Sequence, residues 1–105
     1  MAKREEFVEE FRIRGEQVAE AHGEAEMLEH RAKRIFAQIV IASDKSVARA
    51  EYEAAVDPRY CDAKEAAIEA KTKANKLRAQ LNAMEVSYEL FRTESATNRA
   101  QMNLR

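Results

Sequence analysis

The sequence predicts an all-α fold: a long antiparallel helical hairpin, packed like a coiled coil and assembled with further copies of itself. Three observations predict it. Tyr60, Ala63, Ala67, Ala70, Ala74, Leu77, Leu81, Met84, Tyr88 and Phe91 follow one another at steps of three and four, which puts one apolar seam along a helix. The whole chain has two glycines and one proline among 105 residues, so it has few turn formers and long helices are the economical arrangement. The proline stands at Asp57-Pro58, close to the middle, where one reversal gives two arms of similar length.

The first arm begins within a few residues of Lys3. Phe7, Phe11, Val18, Ala21, Ala25, Leu28, Ala32, Ile35, Ile39 and Ala42 keep the three-four rhythm, with Arg14 the one polar seam position. Gly15 and Gly23 lie off that seam; each costs a helix interior about 1 kcal/mol against alanine, enough to mark a bend without ending the helix. Near Ser43 the phase changes, and Phe36, Val40, Ser43, Val47, Ala50 and Ala54 form a second track. Either the helix continues with its seam rotated by a stutter, or it breaks at 43–46 and a Ser or Asp caps a short second helix. The absence of glycine and proline there tips the expectation towards a continuous or kinked helix.

Asp57-Pro58 is the strong boundary. Proline disfavours helical geometry in the residue before it and suits the first turn of a helix, which Asp57 can cap. The last helix then runs to about Met102, with Ser95 and Asn98 as polar seam positions. The chain is one domain, residues 1–105, and two helices of roughly 45 residues give a rod about 65–70 Å long. Such a rod has little interior. Ile13, Met27, Val40 and Ile41 lie off the main seam of the first arm, a wider apolar surface than one partner helix covers, and a homo-oligomer is the expected remedy.

Charge is distributed in blocks. Net charge is −1, so the chain is no general polycation and any affinity for nucleic acid must be local. One basic block holds Arg31, Lys33, Arg34, Lys45 and Arg49; another holds Lys71, Lys73, Lys76 and Arg78 with no acid among them. A hairpin turning at 57–58 sets residue i opposite about 115 − i, so Arg34 faces Gln80 and the two blocks meet halfway along the rod. Like charges that converge repel unless an anion compensates, and phosphate contacts there would be salt-sensitive and largely independent of sequence. These nine cations are the candidate nucleic-acid-binding residues. Against this stands the ordinary reading of charge runs on helices, a solvated face laced with i,i+4 pairs. Phe36, Tyr52 and Tyr60 are near enough to stack on bases; Tyr88 and Phe91 belong to the seam. Arg92 and Arg99 fall opposite the Glu-rich start and are expected to pair with it.

Catalytic chemistry is not legible. His22, Glu26 and His30 share a helical face, but Ala19 and Met27 stand where Glu-x-x-His pairs need acids, so no carboxylate-bridged di-metal bundle follows. Cys61 has no histidine near it in sequence and reads as an incidental or structural thiol; one cysteine forms no internal disulfide, which suits a reducing cytoplasm. Two glycines build no phosphate-cradling loop. The longest apolar run, Ile39–Ala42, is far too short for a membrane span, and the charged start lacks the apolar core of a secretion signal. The expectation is a cytoplasmic, non-enzymatic protein with no cofactor, metal, membrane or small-molecule substrate.

The stretch Lys45-Ser-Val-Ala-Arg-Ala-Glu-Tyr, the Asp-Pro boundary and the final Ser-Ala-Thr-Asn-Arg-Ala-Gln-Met-Asn-Leu-Arg resemble small helical tailed-phage proteins, and among them the UvsY-type recombination mediators. That family carries a short basic box with a Lys-Ala-Arg core ahead of an acid and a tyrosine. Ala48, Arg49, Glu51 and Tyr52 match its spacing; Val47 stands at the lysine position, with Lys45 two residues upstream. The resemblance covers residues 30–105. It implies a ring-like homo-oligomer, acting in the cytoplasm of the phage's host, that binds single-stranded DNA through Lys45 and Arg49 and helps a recombinase displace single-strand-binding protein. The rival expectation is a helical-hairpin adaptor or virion assembly protein whose charges are self-paired. Secreted hairpins of the WXG type are a poorer match, since the chain has no tryptophan and turns at Asp-Pro.

Overall fold

A computed structural model of the chain describes residues 2–103, with side chains from Arg4 onward. The last two residues of the terminal motif, Leu104 and Arg105, lie outside the described residues. Three helices follow in order: α1 (Ala2–Ala42), α2 (Val47–Val56) and α3 (Pro58–Asn103). The fold is the expected all-α hairpin, drawn out to 84 × 22 × 15 Å.

The seams form where the three-four spacing puts them. Val18, Ala21, Ala25 and Ala32 of α1 and Ala67 and Ala74 of α3 are buried, and the bulkier seam residues Phe7, Phe11, Leu28, Ile35, Leu77, Leu81 and Met84 are half-buried around them. Alanines with almost no exposed surface let the two backbones approach closely; the consequence is that the core holds little volume. Towards the open end larger rings take over: Phe7 stacks on Tyr88 with centroids 4.3 Å apart and on Phe11 at 6.0 Å. Phe91, expected in the seam, is instead 65 % exposed, because α1 has almost run out at that level. Helix α1 passes through Gly15 and Gly23 without interruption, and neither has a positive φ.

The chain breaks at 43–46, against the expected continuity. The Ser43 N–H bonds the Val40 carbonyl at 3.2 Å, closing α1 in a tight turn, and the Ser43 hydroxyl accepts the Lys45 N–H at 3.2 Å. Ser46 caps α2, its hydroxyl accepting from the Arg49 N–H at 3.4 Å. Serine side chains that bond the backbone locally offer it an alternative to the helical ladder, so neither glycine nor proline is needed to end a helix here. The second track predicted from sequence becomes a packing face of its own: Ala50 and Ala54 of α2 are buried, and Phe36 meets Tyr60 edge-on at 5.2 Å.

Between α2 and α3 there is only Asp57. Its N–H closes α2 on the Ala54 carbonyl at 3.2 Å, its carbonyl accepts from the Cys61 N–H at 3.0 Å, and Oδ1 accepts from the Arg59 N–H at 2.8 Å. The Arg59 guanidinium bonds the same carboxylate, and these bonds, the side-chain one first, hold Asp57 below the ordinary aspartate range.

The break resets the pairing of the long helices. Residues 43–57 fold as a separate corner, so α1 and α3 are not joined directly at Pro58. Phe7 meets Tyr88, His22 meets Arg78 and Phe36 meets Tyr60, so residue i of α1 faces about 95–100 minus i. The expected register of about 115 − i is wrong by four to five turns. Helix α3 therefore overhangs the start of α1 at one end, and α2 fills the corner at the other. That offset is why the rod exceeds the length of either helix.

Two outcomes are expected. Nothing lies within 4 Å of a Cβ added at either glycine. Gly15→Ala and Gly23→Ala should therefore each stabilise by about 1 kcal/mol, raising a thermal midpoint followed by circular dichroism by roughly 4–8 °C per change. A depressed carboxylate pKa contributes stability above the unfolded value and loses it as pH falls through the folded one. Asp57→Asn, which can cap but not titrate, should melt below wild type at neutral pH, the gap beginning to close only as pH falls below about 4. Glu9 and Glu53 are depressed as well and leave a residual acid limb in both proteins.

Candidate nucleic-acid interface

The first basic block is largely engaged. Lys33 reaches Glu29 at 3.9 Å along α1, a weak exposed pair. Lys45 donates to Glu53 at 2.5 Å and Arg49 lies 3.5 Å from the same carboxylate. The hydrogen bond from Lys45, backed by its charge and by Arg49, holds Glu53 below the ordinary glutamate range. Arg31 and Lys45 both line a groove of about 970 Å³ at the corner of the three helices. Asp44, Glu53, Asp57 and Asp62 share that groove, so it is no purely basic surface. Arg34 is exposed, with no carboxylate within 4 Å among the described residues.

The second block is split. Successive helical residues turn by about 100°, so Lys71 and Arg78 flank one side of the α3 seam and Lys73 and Lys76 the other. Lys71 lines a groove of about 300 Å³ with Lys64, His22, Glu26 and Glu29. One turn or two further on, Arg78 Nε donates to His22 Nε2 at 3.3 Å. Lys73 and Lys76 line another groove, about 490 Å³, with Glu69, Thr72, Gln80 and the apolar Ile68 and Leu77.

The two blocks consequently do not meet face to face. In the observed register Arg31 and Arg34 sit level with Asp62–Glu69, and Lys71–Arg78 sit level with the His22 and Glu20–Glu29 stretch of α1. The nine cations run end to end along the rod, with acids between them. The repulsion that favoured an anion at mid-rod is relieved, since each block faces acids and not the other block. Among the described residues Arg92 and Arg99 do not make the expected ion pairs with the acidic start. Glu9, Glu10 and Glu16 pair within α1 with Arg12 and Arg14, and among the described residues Arg92 reaches only Glu89, at 3.8 Å, in its own helix.

Of the three rings weighed as stacking platforms, Phe36 and Tyr60 are half-buried against each other, while Tyr52 is 71 % exposed on α2. His22 is engaged by Arg78, and among the described residues no group of three or more His, Cys, Asp or Glu converges as metal ligands do. The Cys61 thiol donates to the Ala55 carbonyl at 3.5 Å, which ties the start of α3 to α2. No helix among the described residues is long and apolar enough to cross a membrane.

The periodicity of the sequence does not single out one further feature. On the outward side of α3, Ile68, Thr72, Asn75, Ala79, Asn82, Val86, Leu90, Thr93 and Thr97 recur at steps of three and four, all outside the core and none charged. The signal is nevertheless in the sequence, since in a chain that is 35 % charged these nine positions in succession carry no charge. Its apolar members are diluted by Thr and Asn, which hides it from a search for hydrophobic steps. Ile13, Met27 and Ile41 are likewise exposed along the back of α1, and Val47 and Val56 on α2.

No family model matches the chain, and comparison with curated proteins and with solved structures finds no match either.

The observed register has a direct test. In a Cys61→Ser background, a nitroxide on His22→Cys should relax the amide of Arg78 strongly. One on Arg34→Cys should relax amides at 62–66 strongly and that of Gln80 far more weakly. Stronger relaxation at Gln80 would restore the direct hairpin register.

Proposed function

We propose that this chain is the non-enzymatic protomer of a homo-oligomer that binds single-stranded DNA in the cytoplasm, an accessory factor of the recombination-mediator kind that assists loading of a recombinase against single-strand-binding protein. The observation that carries the reading is the uncharged outward track of α3. Ile68, Val86 and Leu90 are each more than half exposed there, and each would gain roughly 1–2 kcal/mol if a neighbouring protomer covered the exposed part. A rod whose own core is mostly alanine gains more of its stability from such neighbours than a compact domain does. Repetition of the protomer would multiply cations that are individually weak: among the described residues, Arg31, Arg34, Lys71, Lys73 and Lys76 have no carboxylate within 4 Å. Tethered weak sites on one strand bind far more tightly than single ones. The link to recombination rests on the resemblance around Arg49 and Tyr52.

A second reading is favoured by a specific observation. Lys33, Lys45 and Arg49 are paired with Glu29 and Glu53, as an adaptor or virion assembly protein with self-compensated charge would have them. Both readings expect self-assembly, and nucleic acid separates them.

Light scattering should report a mass several times the 12.0 kDa protomer, and Ile68→Lys with Leu90→Lys should reduce it to the protomer. A labelled oligodeoxythymidine should bind at low salt. Arg49→Ala, Lys71→Ala and Lys73→Ala together should weaken binding and flatten the log–log salt slope by about 2, at roughly 0.7 per phosphate contact. Assembly without oligonucleotide binding at low salt would select the adaptor reading.

A further inference from the structure

The open end of the hairpin carries a groove of about 770 Å³ that neither basic block touches. Arg4 and Phe7 of α1 form one wall, and Tyr88, Phe91, Arg92 and Arg99 of α3 the other; among the described residues no carboxylate lines it. Its composition is unlike the rest of the surface. The other grooves each mix cations with acids, whereas this one brings three arginines to three aromatic rings. Phe7 and Tyr88 are already stacked, nearly parallel at 14°, and Phe91 projects beside them with 65 % of its surface exposed. The fold does not need Phe91 there, since it covers no core at that level. The overhang of α3 past the start of α1 leaves Arg99 without a facing helix among the described residues. Within that same set, Arg92 alone of the three arginines has an acid within 4 Å, the exposed Glu89 at 3.8 Å.

We infer that this groove is a base-stacking site for single-stranded nucleic acid. An exposed ring beside guanidinium groups is the arrangement that takes one unpaired base on its face and the flanking phosphates on its cations. Arginine serves better than lysine here, because its planar fork both stacks and bonds phosphate in two places. Duplex DNA keeps its bases within the stack and offers nothing to Phe91. The inference rests on the reading that the protein binds single strands. It moves the base contacts from Tyr52, Phe36 and Tyr60 to the open end and leaves the mid-rod cations with phosphate alone.

The chain contains no tryptophan, so Phe91→Trp in the full-length protein introduces one clean fluorophore at the site. Titration with oligodeoxythymidine at low salt should quench its emission, and a duplex of the same length should quench it far less. In a parallel anisotropy titration Phe91→Ala should weaken oligodeoxythymidine binding about tenfold. Arg92→Gln with Arg99→Gln should lower the log–log salt slope by about 1.4, for two lost phosphate contacts. The Arg49→Ala, Lys71→Ala, Lys73→Ala variant carrying Phe91→Trp should still quench at low salt. Phe91 is exposed, so its variants should keep the wild-type helical circular dichroism. Binding by wild type that Phe91→Ala and the arginine pair leave unchanged would overturn this inference alone. No binding by wild type at low salt would overturn it together with the reading beneath it. Emission from the Phe91→Trp variant that shifts on protein dilution without oligonucleotide would assign the groove to a second copy of the chain and overturn it as well.

Discussion

The contact between the alanine faces of α1 and α3 is the constraint on which the rest of the molecule depends. Ala21, Ala25 and Ala32 on one side and Ala67 and Ala74 on the other are buried because small side chains let two helices lie close along their length. Close approach gives many weak dispersion contacts and leaves no volume for large residues. Among the described residues Val18 is the largest buried side chain, and Leu, Ile, Met and aromatic residues lie at the margins or on the surface. A chain built this way is long and thin and has exposed apolar residues on its outer surface. The uncharged track along α3 follows from the same geometry: with the inner face satisfied by alanine, the residues that could stabilise the rod further point outward.

Two short polar devices govern how those faces are brought together. Ser43 and Ser46 end α1 and start α2; Asp57 closes α2 and opens α3 within a single residue. Because α2 takes up the chain between them, the long helices meet in a register set by the corner and not by the proline alone. That register decides every electrostatic relation between the long helices. It sets Arg78 on His22, keeps the two basic blocks from facing each other, and brings Arg4 and Phe7 beside Arg92 and Tyr88. Of the acids near the start, Glu9, Glu10 and Glu16 are paired locally with Arg12 and Arg14, whose i,i+3 and i,i+4 neighbours are within reach whatever the tertiary fold.

The candidate site was legible only as a set of residues. The cations of the two blocks are plain in the sequence. Which cations stand together is a matter of pairing across helices, and a segment of a dozen residues misassigned to the hairpin shifts that pairing by several turns. Phe91 shows the same limit. Its spacing is that of a core residue and its helix is right, but the partner helix ends at its level, and nothing in the local pattern records where a distant helix ends.

By itself the sequence determined the two long helices, most of their seams and the helix boundary at Asp57-Pro58, because periodicity, capping and proline geometry act over one or two turns of chain. The tertiary structure alone decided the break's consequence: a three-helix corner, the offset of α1 against α3, and the gathering of Arg4, Arg92, Arg99 and Phe91 at one end of the rod. The physical reason is that a uniform three-four seam satisfies many registers almost equally well. Only the packing of Ala50 and Ala54 in the corner and the fit of Phe7 on Tyr88 at the far end select one of them.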